Sequence, residues 1–387
     1  MHSNTVMMLS GKTAFVFLTL VSCMCKFSDP HTSAVSGTDV EGTDVFLSVV
    51  TDSDTLKKWK DWAMGCDTGL WESDSTHAVR LTLVQTYGGE DNPDPQFFSV
   101  KWMQISGDTL FIADRVRECL VCMNSHGEVL WEYGEPGEGP GHFTTIGPIA
   151  VSDTWIAVCN IEGDRVELLT RSGELTEVFS ILNPLYVEAV NSNSFAVLSI
   201  QAPGGDVHLF DINDGHLASF GECPWQGGEF IRRSTNAFSA VCLNNRYLVV
   251  NHFFEYRIVV FDVLEQKMVA EFARNHPSGN LPSSSVTQFD DGYTSGTFYF
   301  VLGKMFTGPE GAINIRLDAI QKDGTVINSN STIGPAPVTV IDRYSLAGEY
   351  LDSYCIPLPN CSAFAYSDPY LYAAQSYTGT IFQFKVE

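Results

Sequence analysis

The stretch YGEPGEGPGHF, Tyr133 to Phe143, decides the fold of this chain because it has counterparts elsewhere in the sequence. YGGEDNPDPQF (Tyr87 to Phe97), FGECPWQGGEF (Phe220 to Phe230) and YCIPLPNCSAF (Tyr354 to Phe364) also hold eleven residues from the first aromatic to the last. All are rich in glycine, proline or both. A loop that recurs in this way indicates a repeated structural unit rather than a single phosphate-binding loop. The stretch also lacks the Lys-Ser/Thr pair that phosphate binding needs.

Six aromatic residues end the extended segments of these units, with spacings of 46, 46, 41, 52 and 82 residues: Tyr87, Tyr133, Phe179, Phe220, Phe272 and Tyr354. Each unit contains short β-rich segments separated by turn sequences such as SHGE, RSGE and NDGH. No unit contains a sustained period of 3.6 residues, so helical repeats are disfavoured. Four strands per unit, repeated six times, predict an all-β, six-bladed β-propeller of four-stranded antiparallel blades.

The two ends of the chain predict how the ring closes. A strand at about residues 78–88 has no unit before it, while the last segment, PYLYAAQSYTGTIFQFKVE, ends without an outermost strand. Pairing the N-terminal strand with the C-terminal blade would remove both exposed edges. The longest unit contains Lys304 to Pro337, which we interpret as an extra hairpin or an extended blade.

The N-terminus resembles an export signal, with Lys12 before the apolar run from Thr13 to Val21. Nine apolar residues are too few to span a bilayer, which needs about 20. The following LVSC, Leu20 to Cys23, resembles a bacterial lipobox, which predicts lipidation at Cys23. A plain secretory signal cleaved near Ser22 is the alternative. We therefore divide the chain into a signal peptide (1–22), a tether and irregular segment (23–75), and the propeller (76–387).

Charge and cysteine content exclude several classes of function. With 22 Lys+Arg against 46 Asp+Glu, the formal net charge of −24 disfavours binding to nucleic acid. Cys119 and Cys122 form a CxxC, but in a strand they point to opposite faces, and no second ligand pair completes a zinc site. We expect no metal and no cofactor. Cys355 and Cys361 could form a disulfide or remain free.

With these residues in view, the chain resembles the six-bladed, NHL-like or TolB-like propeller lipoproteins of Bacteroidetes. The resemblance rests on the lipobox, on the GPG-aromatic loop from Gly139 to Phe143, and on the phrases LFIAD and SGEL. It covers about residues 78–387. It implies a lipoprotein of the bacterial cell envelope, on the outer membrane, periplasmic or surface face. It transfers no catalytic residue to this chain.

In a four-stranded blade, the connector to the next blade and the loop between the second and third strands lie on one face, so their residues converge at one mouth of the channel. The candidate ligand-binding residues at that mouth are His142, Asn160, Glu162, Trp225, Glu229, Arg232, Arg233, His252, Glu255, Gln375 and Tyr377, near Phe98 and Lys101. Phe97, Phe143, Phe230 and Phe364 recur in register, which favours a role as plugs between blades.

These candidates leave two functions open. Aromatic residues with a few polar groups suit a non-catalytic binding or scaffolding module for a protein, a peptide or a glycan. One of Arg232 and Arg233 could anchor a carboxylate, or both could form salt bridges between blades. The alternative is an extracytoplasmic metal-dependent hydrolase or lyase at the central channel, with His142 or His252 beside Glu229 or Glu255. We expect a monomer without enzymatic activity.

Overall fold

The computed structural model describes residues 79–89, 95–222, 238–252, 256–272, 285–288, 294–297, 302–317, 319–322, 325–328, 339–358, 360–375 and 378–387. The predicted signal peptide, Cys23, the tether and the segment SDTLKKWKDW lie outside these residues. The chain begins its described part with the strand β1 (Leu81–Tyr87).

Four-stranded antiparallel sheets follow one another along the chain. Blade 1 consists of β2 (Val100–Ser106), β3 (Thr109–Asp114), β4 (Cys119–Asn124) and β5 (Val129–Tyr133). The short parallel pair β6 (Glu135–Pro136) and β7 (His142–Phe143) leads to blade 2, which consists of β8 (Ile146–Val151), β9 (Trp155–Asn160), β10 (Arg165–Thr170) and β11 (Leu175–Ser180). Blade 3 consists of β12 (Tyr186–Ala189), β13 (Ser194–Leu198), β14 (Val207–Asp211) and β15 (Gly215–Phe220).

Blade 4 consists of β16 (Phe238–Leu243), β17 (Tyr247–His252), β18 (Ile258–Asp262) and β19 (Lys267–Phe272), and is followed by the hairpin β20 (Ser285–Gln288) and β21 (Thr294–Thr297). Blade 5 begins with β22 (Leu302–Thr307) and β23 (Ile313–Leu317). The hairpin β24 (Ala319–Lys322) and β25 (Thr325–Asn328) interrupts it, before β26 (Thr339–Tyr344) and β27 (Tyr350–Ile356). Blade 6 consists of β28 (Cys361–Ser367), β29 (Tyr370–Gln375), β30 (Ile381–Val386) and β1.

Closure of the ring follows the prediction. Strand β1 pairs antiparallel with β30, from Leu81 opposite Val386 to Tyr87 opposite Ile381, and so becomes the outermost strand of blade 6. The innermost strands contact one another in the order β2, β8, β12, β16, β22, β28 and back to β2. The chain is therefore a six-bladed β-propeller, and its two ends meet in one blade.

The hydrophobic core lies between blades rather than within one central mass. Six clusters of buried residues each combine side chains from two adjacent blades, so every blade interface has its own apolar layer. The second and third strands of blade 1, β3 and β4, are almost fully buried, whereas the outermost strands β11 and β19 expose most of their residues. All six predicted aromatics lie in outermost strands, which explains their recurrence in the sequence.

The connector Tyr133 to Phe143 is fixed by two charged side chains of blade 2. The Tyr133 hydroxyl donates to Glu167 at 2.6 Å, and the Gly141 N–H donates to the same carboxylate oxygen at 3.1 Å. Arg165 contacts the other oxygen of Glu167 at 2.7 Å and donates to the His142 carbonyl at 2.6 Å. The glycines and prolines therefore make a connector between blades, and its backbone is held by an ion pair rather than by a ligand.

The recurring phenylalanines of the connectors pack between adjacent blades, as predicted, at each position that the structure describes. Phe143 is 1% exposed and belongs to the layer between blades 1 and 2. Phe97 belongs to the layer between blades 6 and 1, and Phe364 to the layer between blades 5 and 6, where its ring stacks on Phe306. Phe230 lies outside the described residues.

In the long fifth unit, the extra hairpin is shorter than the segment from Lys304 to Pro337 that we interpreted as an extra hairpin or an extended blade. Most of β22 and all of β23 fall in this range, and they are regular inner strands of blade 5. The extra hairpin is the pair β24 and β25, between Ala319 and Asn328. The difference arises because turn residues follow β22 directly, so the strand is hard to recognise from the sequence.

The cysteines in the described part of the chain are free, and all of them except the half-buried Cys242 are buried. Cys119 belongs to the layer between blades 6 and 1 and Cys122 to the layer between blades 1 and 2, so the two thiols point to opposite faces of their sheet as predicted. Cys355 and Cys361 are both free and buried. No helix in the described part of the chain has the length and apolar content needed to cross a bilayer.

We expect the connector to tolerate Gly139→Ala better than Gly134→Ala. Gly134 has a φ of +94°, and a Cβ there would lie 2.4 Å from the Phe143 ring; Gly139 has a φ of +88° and open space around it. Left-handed backbone costs about 1–2 kcal/mol for alanine, and a forced contact in a packed core adds about 1–3 kcal/mol. Gly134→Ala should therefore lower the free energy of unfolding by about 2–4 kcal/mol and Gly139→Ala by about 1 kcal/mol in urea denaturation. Equal losses would contradict the proposed contact between the connector and Phe143.

Candidate functional site

The described candidates from the sequence lie on the loop face, defined here as the side that carries the connectors and the loops between second and third strands. His142 lies in the connector, and its Nε2 is 3.0 Å from Glu135 Oε1. Glu162 is exposed in the loop between β9 and β10. Gln375 ends β29 with its side chain buried, and its N–H donates to the Thr380 carbonyl. The structure does not bring these side chains into one cluster.

Asn160 holds the connector instead of facing solvent. Its side chain is fully buried; Nδ2 donates to the His142 carbonyl at 2.9 Å, and Oδ1 accepts from the Thr145 and Gly163 N–H groups. Asp114 occupies the same place at the end of β3 and accepts hydrogen bonds from the Phe98 and Ser99 N–H groups. The polar residue at this position therefore anchors the preceding connector, and it does not present its amide to a ligand.

The other candidates lie outside the described part of the chain: Trp225, Glu229, Arg232, Arg233, Glu255 and Tyr377. His252 is the last residue of β17, and only its backbone is described. The functions predicted for these residues stay predictions.

The central channel holds a cavity of about 210 Å³. All six innermost strands contribute to its wall, so it is a direct product of ring closure. The lining combines apolar side chains, such as Ile105, Ile149 and Val241, with polar groups. The polar and aromatic residues in the lining are Trp102, Gln104, Tyr186, Glu188, Lys304, Phe306, Thr307, Phe364 and Tyr366.

Lys304, in β22, contributes its side chain to the wall of this cavity, and its amine is buried against an aromatic ring. Its Nζ is buried and makes no hydrogen bond with any described residue. The amine lies 3.4 Å from the centroid of the Trp102 ring, which comes from β2 on another blade. Burial lowers the pKa of Lys304 well below its ordinary value of 10.5, and the positive charges of Lys101 and Arg316 lower it further.

Two more cations lie close to this amine. Lys101 precedes Trp102 in β2, and its pKa is lowered by burial and by the charge of Arg316. The Nη1 group of Arg316, in β23, donates a hydrogen bond of 2.7 Å to the Cys361 carbonyl. Lys101 and Lys304 come early in their strands and Arg316 comes late in its own, so all three lie toward the loop face.

Tyr186 and Glu188 form the wall of blade 3. The Tyr186 ring meets Trp102 edge to face, with 5.5 Å between the ring centroids. Glu188 accepts a hydrogen bond from the Cys242 N–H at 3.3 Å. Withdrawal from bulk water raises the pKa of Glu188 to about 8, with the Cys242 hydrogen bond opposing the shift. At neutral pH the channel therefore holds a largely neutral carboxyl group and a buried amine.

The side chains that line the channel offer a few polar and aromatic contacts. Within the described ranges, no three His, Cys, Asp or Glu side chains come together in a way that could hold a metal ion. The channel instead offers an aromatic wall and an amine with unused hydrogen-bonding capacity. Such a combination orients a small ligand by one polar contact against an apolar surface.

Comparison with known proteins supports the fold. No protein-family model and no curated protein matches the chain. A solved structure of a DUF4221 family member from Bacteroides vulgatus is similar, with a TM-score of 0.51 and 10% identity over 80% of this chain and 98% of that one. A streptogramin B lyase structure has a TM-score of 0.48 and 11% identity, and the RRP9 WD40 repeats have 0.48 and 10%; each covers 80% of this chain and 98% of its own. At 10% identity, the likeness to the DUF4221 family member shows the fold alone.

We expect Lys304→Met to stabilise the protein. Methionine fills similar space without an amine, and burying an unpaired polar group costs about 1–3 kcal/mol. The unfolded state binds a proton at Lys304 up to pH 10.5, whereas the folded state releases it at lower pH, so this cost is largest at low pH and disappears above pH 10.5. The unfolding free energy of the variant should exceed that of the wild type by about 1–3 kcal/mol at pH 7, and the gap should narrow toward pH 10.

Lys267→Met is the control for this measurement, because the Lys267 side chain is 61% exposed. It should change the unfolding free energy by less than about 0.5 kcal/mol, with no trend between pH 7 and 10. A loss of stability in Lys304→Met would show that the amine has a stabilising partner.

Proposed function

We propose that this protein is a lipid-anchored, non-catalytic binding module of the bacterial cell envelope, and that it receives part of a peptide or glycan ligand in the central channel. The observation that carries the proposal is the Lys304 side chain in the cavity wall, whose amine is buried against the Trp102 ring and has no hydrogen-bond partner among the described residues. Such a group opposes folding, and local features that oppose stability concentrate at functional sites. A ligand that hydrogen-bonds the amine would remove this cost.

The position of the cavity supports the same proposal. The channel opens between loops that vary from blade to blade, and propellers use this arrangement for ligand binding. Anchoring at Cys23 would leave residues 24–75 as a tether, so the propeller could meet ligands at a distance from the lipid surface.

Binding in the channel can be tested with a panel of small probes: glucose, N-acetylglucosamine, glucuronate, Gly-Gly and Gly-Asp. A ligand that binds only the folded state raises the melting temperature in a saturable way. At least one probe should do so for the wild type and for Lys267→Met, and should lose most of this effect in Lys304→Met. No shift with any probe, or equal shifts in all three proteins, would contradict a ligand site in the channel.

The alternative of a metal-dependent hydrolase or lyase has a separate readout. Elemental analysis of protein purified without chelators would detect bound calcium, zinc or iron. The enzyme would be favoured over the binding module if the protein contained about one equivalent of such a metal, and if a chelator removed both the metal and any ligand binding.

Lipid anchoring is tested by comparing two neighbouring cysteines in the full chain. Radiolabelled palmitate should enter the wild type and Cys25→Ser, and both should sediment with membranes. Cys23→Ser should carry no label and should appear in the soluble fraction. A wild type without label would instead indicate a plain secretory signal.

A further inference from the structure

A second cavity, here called the rim cavity, lies on the loop face between blades 2 and 3 and has a volume of about 380 Å³. Its wall combines the loop between β9 and β10, the connector from β11 to β12, the loop between β13 and β14, and the hairpin formed by β14 and β15. It shares no lining residue with the central channel. Pockets for small ligands typically measure about 300–1,000 Å³, so the rim cavity is large enough for a whole ligand.

Hydrogen bonds within the protein hold the walls of the rim cavity in place. The Ser199 hydroxyl donates to the Leu182 carbonyl at 2.5 Å and accepts from the Ala202 N–H at 3.2 Å, which joins the connector to the loop between β13 and β14. On blade 2, Oδ1 of Asp164 accepts from the Asn183 N–H at 2.7 Å. The site is therefore preorganised, and a ligand would not have to order these loops.

The hairpin contributes a directed chain of hydrogen bonds. Nε2 of His208 lies 3.3 Å from the Ser199 carbonyl, which can only accept, so this nitrogen carries the proton. Burial lowers the pKa of His208 against the opposing effect of this hydrogen bond, and the neutral ring accepts at Nδ1 from the Ser219 hydroxyl at 2.8 Å. Nε2 of His216 donates to the same hydroxyl oxygen at 2.8 Å. Ser219 then has no proton left to donate, and His216, when neutral, keeps a lone pair at Nδ1. The hairpin therefore presents hydrogen-bond acceptors.

Asp164 adds a negative charge to the wall of the rim cavity. The residue is exposed, and its Oδ2 makes no hydrogen bond or ion pair with any described residue. The neighbouring Arg165 pairs with the buried carboxylate of Glu167 instead, with 2.7 Å between Nε and Oε1. The formal net charge of −24 also attracts cations to the protein surface. The rim cavity therefore favours a cationic group that donates hydrogen bonds.

Exposed apolar surface in the same wall indicates what the cation is attached to. Leu182 is 48% exposed, and Pro203 is exposed as well. An alkyl chain packed against these two side chains would withdraw apolar surface from water on both partners. A charged amine at the end of an alkyl stem combines both properties.

We propose that the rim cavity binds a small alkylammonium group, with the ammonium against Asp164 and the alkyl chain against Leu182 and Pro203. The inference goes beyond ligand binding in the channel, because it assigns a second site with its own residues and its own ligand chemistry. An ammonium group donates hydrogen bonds only, so it complements a carboxylate beside further acceptors. A free alkylamine and the side chain of a lysine in a peptide share this chemistry.

Titrations of the full-length protein at pH 8, followed by ligand-observed NMR, test this assignment with two matched pairs of probes. Butylamine is compared with butan-1-ol, and Nα-acetyl-lysine methylamide with the same compound acetylated at Nε; both amines are charged at this pH. The charged member of at least one pair should bind the wild type about tenfold more tightly than its neutral partner. Binding of the lysine compound at least as tight as that of butylamine would identify a peptide side chain as the ligand, and weaker binding would identify a free amine.

The variants show whether Asp164 causes this selectivity. Asp164→Asn keeps an acceptor for the Asn183 N–H and removes the charge, so its affinity for the charged probe should fall about tenfold. Asp153→Asn is the matched control, because it makes the same change of charge at an exposed residue between β8 and β9, on the opposite face. Asp153→Asn and Lys304→Met should both bind the charged probe like the wild type.

Several results would overturn the assignment of the rim cavity. They are equal affinity for both members of each pair, no binding by any probe, an unchanged affinity in Asp164→Asn, and an equal loss in Asp164→Asn and Asp153→Asn. None of them bears on the channel, which has separate lining residues. Loss of amine binding in Lys304→Met would also overturn it, because the amine would then bind in the channel.

Discussion

The pairing of β1 with β30 is the interaction on which the rest of this structure depends. It joins the first described strand of the chain to the last, so β30 is paired on both edges and blade 6 becomes complete. Closure brings six innermost strands around one axis, and their side chains then define a central cavity. Tyr87 reinforces the joint, because its hydroxyl oxygen lies 2.8 Å from the Ser125 carbonyl of blade 1 and 2.9 Å from Gln383 of blade 6.

Architecture was largely predictable from the sequence because it depends on features that recur. Each outermost strand has an aromatic near its end, and four of the six connectors that follow are rich in glycine, proline or both and hold eleven residues from aromatic to aromatic. Tyr133 and Phe143 show the physical reason: the first closes a blade, the second packs into the next interface, and Gly134 makes room for the ring. These requirements apply at every blade, so they leave a periodic record.

The channel residues were not predictable in the same way. Trp102, Tyr186, Glu188 and Lys304 come from three different blades and follow no repeat, since each serves one place on the axis. Lys304 also stands at the start of the segment that the sequence suggested was an insertion. Asn160 shows the opposite case, because a polar residue next to a loop suggested ligand binding and instead holds the connector. The sequence did contain a hint of the channel, because a lysine interrupts the apolar inner strands VKWM and LGKM. The sequence does not show, however, that these two strands lie close together in the folded ring.

The polar content of the channel has opposite effects on stability and on recognition. A buried amine without a partner opposes folding, and the apolar layers at six blade interfaces provide the stability that tolerates it. The same amine gives the cavity a direction and a charge, which an all-apolar channel would lack. The fold thus provides a rigid frame in which a locally unfavourable group can be kept in place.

The most direct test is the pH titration of the Lys304 side chain itself, followed through its ¹³Cε signal by NMR and assigned by comparison with Lys304→Met. The account predicts a midpoint well below the ordinary pKa of 10.5. A midpoint near 10.5 in the free protein would contradict it, because the amine would then be hydrated or paired rather than buried alone in the channel.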